Sequence, residues 1–321
     1  MRDNYRFVCF ILLLLALVGE SISQTEAIPR DTTYTLKSTL AKVQKYHKEV
    51  EISAVYSNPS ESIWVELEKV YKTIGNRKLT FNLFYPNETP KGGVPILVMV
   101  HGGGWKSGDK SLMTPMAEKF AEAGYVVVAP EYRLSPEARY PSAVLDVFDM
   151  TEWAEKNGKK YGGSSNEMII LGFSAGGQLA ALIGNTYHKD IFRINKVNKR
   201  APFKAIVDVD GVLAFHHHDS KEGKVAGEWL GGDYNEVTDA WEDASALNHV
   251  DATSPPSLFL ASMYPRFLAG RQEYMEVLQQ NDIYTEAQFF ENAPHSFWLL
   301  NPWFEPTVQC TLNFLDKVLS K

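Results

Sequence analysis

From residue 94 onward, short apolar runs alternate with longer stretches whose apolar residues recur at helical spacing. The apolar runs are 94–100, 125–129, 168–171, 205–209, 258–261 and 283–290. Helical patterning occupies 113–123, 143–156, 178–183, 271–280 and 307–319. Continuous apolar strands separated by helices predict an α/β fold, with a mostly parallel central sheet and helices on both faces. Upstream, 62–73 and 79–85 alternate apolar and polar residues, which predicts an antiparallel hairpin at the sheet edge. Residues 24–61 are mixed and polar and read as a partly ordered lead-in with one helix near 38–49. Segment 212–250 has no strand of its own, and a segment of that length between strand and helix predicts a small cap insertion. No repeat or linker divides 62–321, which reads as one catalytic domain. In such sheets ligands bind beyond the carboxyl ends of the strands, so the residues just after each strand are the ones to inspect.

Composition narrows the function classes. The chain has 321 residues, 45% of them hydrophobic and 22% charged, enough for a large core. Its net charge is −7 with no long basic run, which argues against a nucleic-acid partner. Arg2 and Arg6 precede an apolar run at 7–18, and Ser21 and Ser23 offer small residues before Gln24. That pattern predicts a signal peptide over 1–23, cleaved on export to a periplasm or the medium. The apolar run is short for a membrane span, so no stable insertion is expected after cleavage. Cys9 would leave with the signal, and Cys310 alone forms no internal disulfide. An exported chain without disulfides suits a bacterial periplasm.

The chemistry begins with Gly172-Phe173-Ser174-Ala175-Gly176, between a predicted strand and a predicted helix. G-x-S-x-G at that junction is the nucleophile elbow of α/β-hydrolases, a tight turn that lifts the serine hydroxyl above the sheet edge. His101-Gly102-Gly103-Gly104-Trp105 follows the 94–100 strand. A glycine-rich loop there lets backbone N–H groups approach a developing oxyanion, and Gly103, Gly104 and Ala175 are the candidate donors. His295 follows the last predicted strand and precedes the final helix, the position of a base for Ser174.

His101-Gly-Gly-Gly, Tyr132-Arg-Leu-Ser-Pro-Glu137 with Pro141 and Asp146, and Gly172-Phe-Ser-Ala-Gly-Gly177 occur in that order. Together they resemble the hormone-sensitive-lipase-like α/β-hydrolases, over roughly residues 62 to 320. More narrowly the chain resembles the bacterial esterase branch associated with plant-polysaccharide degradation. The resemblance implies a serine esterase that needs no cofactor. It also implies an aspartate in a turn after the penultimate strand, and this chain has no carboxylate in 261–270. Asp210, ending the 205–209 strand, is the first replacement; Asp208 alternates with it, so one of the pair is expected to point into the sheet packing. Glu273 at the start of the next helix, Glu291 close before His295, and a Ser174–His295 dyad remain open.

Arg266 and Arg271 stand where the acid turn would be. Guanidinium binds carboxylate in a bidentate way, so both are candidates for an acidic sugar such as galacturonate, or for pairing with the protein's own acids. Trp105 and Trp298 lie on the glycine-rich and histidine loops and are candidate sugar platforms. His216, His217 and His218 read as a polar cap loop near the pocket mouth rather than a metal site, since adjacent histidines do not all face one ion. The expectation is an exported serine carbohydrate esterase that removes acetyl or methyl groups from pectin or hemicellulose. A small-ester carboxylesterase or formamidase, and a non-catalytic ligand-binding homologue, are the alternatives.

Overall fold

A computed structural model describes residues 28–189, 191–192 and 203–320. The expected signal segment, 1–23, lies outside the described residues. The lead-in is ordered where it is described. It forms α1 (Leu36–Tyr46), capped reciprocally by the side chains of Thr35 and Ser38, and a short β1 (Ser53–Ala54). The edge hairpin follows as β2 (Ile63–Ile74) and β3 (Arg77–Pro86). Strands and helices then alternate: β4 (Val94–Val100), α2 (Thr114–Glu122), β5 (Val126–Pro130), α3 (Ser142–Asn157), β6 (Gly163–Phe173), α4 (Ala175–Thr186) and β7 (Ala205–Val209). The predicted insertion holds α5 (Gly223–Leu230) and α6 (Thr238–Ala244). The chain closes with β8 (Ser257–Ala261), α7 (Arg271–Gln280), β9 (Thr285–Phe289), β10 (Leu300–Asn301) and α8 (Phe304–Leu319).

The main sheet has eight strands in the order β2-β3-β5-β4-β6-β7-β8-β9. The β2/β3 and β3/β5 pairs are antiparallel, and the rest, from β4/β5 to β8/β9, are parallel. Alternate residues of one strand feed two cores. Ile96, Val98 and Val100 pack with α3, α4 and the insertion, while Leu97 and Met99 pack with α1, α2 and α8. Burial on both faces explains the unbroken apolar runs, since each fully buried aliphatic side chain contributes about 2 kcal/mol. β6 begins earlier than its apolar run because the polar residues Ser165 and Asn166 lie exposed at its entry. α8 begins earlier than its pattern because Pro306 falls in its first turn, where the missing N–H costs nothing.

The lead-in is part of the body. Val43 and Ile52 are buried in the second core, and β1 pairs antiparallel with β10, just beyond His295. The sequence missed this because its polar composition reflects only the solvent side of α1.

Candidate active site

β6 ends at Phe173 and α4 starts at Ala175, leaving Ser174 alone in the turn. Its φ of 53° and ψ of −120° lie in a region that favours glycine, and a side chain there costs about 1–3 kcal/mol. The turn is held because the Ser174 N–H donates to the Val209 carbonyl at 2.7 Å, while its own carbonyl accepts from Gly177 and Gln178. A Cβ on Gly172 would collide with the Gly176 carbonyl, and one on Gly176 with the carbonyls of Val100 and His101. The flanking glycines are therefore a steric demand of the elbow.

Ser174, His295 and Asp210 come together in one hydrogen-bonded line. The Ser174 Oγ lies 2.9 Å from His295 Nε2, and His295 Nδ1 lies 2.9 Å from Asp210 Oδ2. Asp210 directly follows β7, with its own φ at 55° and its side chain fully buried. Its other oxygen accepts the Ser262 N–H at 2.7 Å. The imidazole is fixed from two sides: Phe267 stacks on it at 3.7 Å and Trp298 meets it edge-on at 5.2 Å. The other candidate acids are elsewhere. Glu273 accepts from His217 Nε2 at 3.1 Å. Glu291, like any backbone carbonyl, is not what holds Nδ1, since Asp210 occupies that position.

Of the alternating pair, Asp208 is the one that does not reach His295; it is buried, and its Oδ1 accepts the Gly211 N–H at 3.0 Å. Burial first, and the neighbouring charge of Asp210 second, push its carboxyl well above the usual range. A carboxyl whose native pKa is raised costs nothing below its ordinary value near 3.8 and loses stability as pH rises through the native value. Asp208→Asn is therefore expected to stabilise the protein at pH 8, by about 1.4 kcal/mol for each pH unit between the two titrations. Urea unfolding at pH 8 and pH 4 checks it: the gain should vanish at pH 4, and no gain at pH 8 would refute the assignment.

The glycine-rich loop packs directly on the elbow. A Cβ on Gly102 would meet the Phe173 carbonyl at 2.6 Å, and Gly103, at φ 135°, leaves no room for one against the Ser107 carbonyl. Gly103 and Gly104 line the same cavity as Ser174 and His295. Ala175 is the first residue of α4, where backbone N–H groups lack intrahelical partners and the helix dipole favours negative charge. His101 lies beneath the loop. Burial lowers its pKa to about 4, its Nδ1 meets the Gly102 carbonyl at 2.8 Å, and its ring stacks on Tyr132.

The cavity has a volume of about 700 Å³, within the range of small-molecule sites. The insertion contributes Glu222 and Val225 to its wall, and the lead-in contributes more, including Tyr34, Lys42 and His47. Tyr34 Oη meets the Ser296 hydroxyl at 3.0 Å, and Tyr264 Oη lies 3.4 Å from His47 Nε2. These contacts dock the lead-in on the histidine loop and on the turn after β8. No local signal announced it, because the wall exists only once α1 crosses the carboxyl end of the sheet.

Several expected substrate contacts are corrected. Trp105 is buried, stacks on Trp229 at 5.0 Å and donates its indole N–H to Gln178. Trp298 is equally buried, against Phe173 and His295. Neither offers a face to a sugar. Arg271 does not line the cavity; burial pulls its pKa down while Asp208 and Asp210 oppose that shift. Arg266 does line it, 3.5 Å from Glu222. His216 stacks on Tyr234, and none of the three adjacent histidines reaches the cavity. His217, His218 and Asp219 bring ligand-type atoms within 4.8 Å of one another, and His216 is not part of that group.

Esterase LipC of Mycobacterium tuberculosis is 27% identical over 180 residues, covering 54% of this chain and 45% of LipC. The versiconal hemiacetal acetate esterase of Dothistroma septosporum is 26% identical over 295 residues, covering 84% and 86%. The chain thus spans under half of the first relative and most of the second. Among solved structures, esterase B from Lactobacillus rhamnosis inhibited by a tributyrin phosphonate has a TM-score of 0.68 at 22% identity, covering 88% of this chain and 92% of that one. A truncated carbohydrate esterase from gut microbiota has a TM-score of 0.64 at 20% identity, covering 80% and 99%. At those identities the likeness shows the α/β-hydrolase fold. The BD-FAE family model matches residues 81–264, more than half of the chain, including the glycine-rich loop, Ser174 and Asp210, and the protein belongs to that family.

Proposed function

We propose that this protein is a serine ester hydrolase acting through an acyl-enzyme. The observation that carries the reading is the line Ser174–His295–Asp210, opening on one cavity with Gly103 and Gly104. His295 Nε2 takes the Ser174 hydroxyl proton as Oγ attacks the ester carbonyl. The carbonyl oxygen becomes an oxyanion facing the amides of Gly103, Gly104 and Ala175. Collapse of the tetrahedral species breaks the bond to the alcohol, which leaves with the proton from His295. Water then repeats the sequence on the acyl-serine and releases the acid. These steps require no metal or organic cofactor. Matches to proteins named as esterases support this reading.

The proposed substrate is an esterified plant polysaccharide, pectin or hemicellulose, met outside the cytoplasm. The charged start and apolar run of 2–18 support export. The cavity, flanked by α1, is broad enough for a sugar ring, and one structural neighbour is described as a carbohydrate esterase. Acetate and methanol released from acetylated xylan and methyl-esterified pectin test this. Release of either by the wild-type protein is expected. Release of neither, with 4-nitrophenyl acetate still cleaved, would leave a small-ester carboxylesterase.

A further inference from the structure

Glu222 precedes α5 and its side chain makes no cap bond to that helix. It turns instead into the wall of the cavity that holds Ser174 and His295. The side chain is 13% exposed, and its Oε1 is buried without a hydrogen bond among the described residues. Among the described residues it pairs with Arg266 at 3.5 Å, longer than a good charge-assisted hydrogen bond. A buried carboxylate oxygen with unused acceptor capacity is costly unless something donates to it. The Arg266 guanidinium lies 4.4 Å from the centroid of Phe267, the ring that stacks on His295. The pair is therefore built into the shell of the reacting centre while facing its cavity.

An anion is a poor fit for this pair. Glu222 repels a carboxylate, and its charge offsets that of Arg266. Arg271 does not line the cavity. Lys106 faces Glu228 at 3.5 Å, and Lys42 stands exposed, where ion pairing is weak. A neutral group offering a donor beside an acceptor fits: one hydroxyl donates to Glu222 Oε1 while its neighbour accepts from Arg266.

We infer that Glu222 and Arg266 form a subsite for two vicinal hydroxyls of the sugar that carries the ester. This rests on the carbohydrate reading and names the residues that would hold the sugar.

The test compares kcat/KM for an acetylated xylo-oligosaccharide with that for 4-nitrophenyl acetate, which has no sugar. Glu222→Ala is expected to lower the ratio of the two about tenfold, the loss of a hydrogen bond to a charged group. Glu222→Gln, which keeps an acceptor oxygen and disturbs packing least, is expected to recover part of it. A change below threefold in Glu222→Ala overturns the subsite while leaving the carbohydrate reading intact. Wild-type protein that releases no acetate from the oligosaccharide removes both.

Discussion

Ser174→Ala is expected to lower kcat on 4-nitrophenyl acetate by about 10⁴-fold or more, leaving what the oxyanion donors and binding alone provide. The same residue gives a second, opposite effect. Its φ of 53° and ψ of −120° tax every side chain that has a Cβ. Ala keeps that strain, whereas Gly releases it. Ser174→Gly is therefore expected to be inactive yet more stable than Ser174→Ala by about 1 kcal/mol, after the larger unfolded-chain entropy of glycine is set against the relief. Urea unfolding of the two variants measures the difference, and initial rates on the nitrophenyl ester measure the activity. Equal stability would show that the elbow stores no strain. Turnover of the Ala variant within a hundredfold of wild type would remove Ser174 as nucleophile.

The motif-bearing half of the site was legible because its causes are local. Gly172 and Gly176 are dictated by neighbours within the turn, and Gly103 by its positive φ and its contact with Ser107. The strand ends were equally legible, since burial on both faces writes itself as an apolar run. The parts that sequence missed depend on long-range packing. Trp105 and Trp298 sit on the right loops, but their rings turn inward toward Trp229 and Phe173. Glu222 and the α1 wall reach the cavity through tertiary approach, and no spacing in the chain encodes that. The turn after β8 is the instructive case. It lacks the expected acid, yet it still serves the site: Ser262 donates its N–H to Asp210, Phe267 stacks on His295, and Arg266 faces Glu222. The acid has moved one strand away while its supporting turn has stayed.

That displacement makes Asp210→Asn the most informative single change to the charge behind the imidazole. Asp210 Oδ2 accepts from His295 Nδ1, which leaves Nε2 free to take the Ser174 proton. An asparagine can keep one oxygen on the Ser262 amide and so preserve the turn. Its amide group would then face Nδ1 as a donor, favour the tautomer protonated at Nε2, and remove the charge that stabilises the imidazolium. The expected result is a loss of about 10⁴ in kcat with little change in fold, as for the same change in a serine protease. Asp208 does not substitute, because its Oδ1 is held by the Gly211 amide. Glu273→Gln alters only the contact to His217 and is expected to stay within twofold of wild type. Steady-state rates of both variants, with circular dichroism to confirm folding, decide between the two carboxylates. A loss in Asp210→Asn smaller than about tenfold, or 1.4 kcal/mol of barrier, would mean that the 2.9 Å contact orients nothing of consequence.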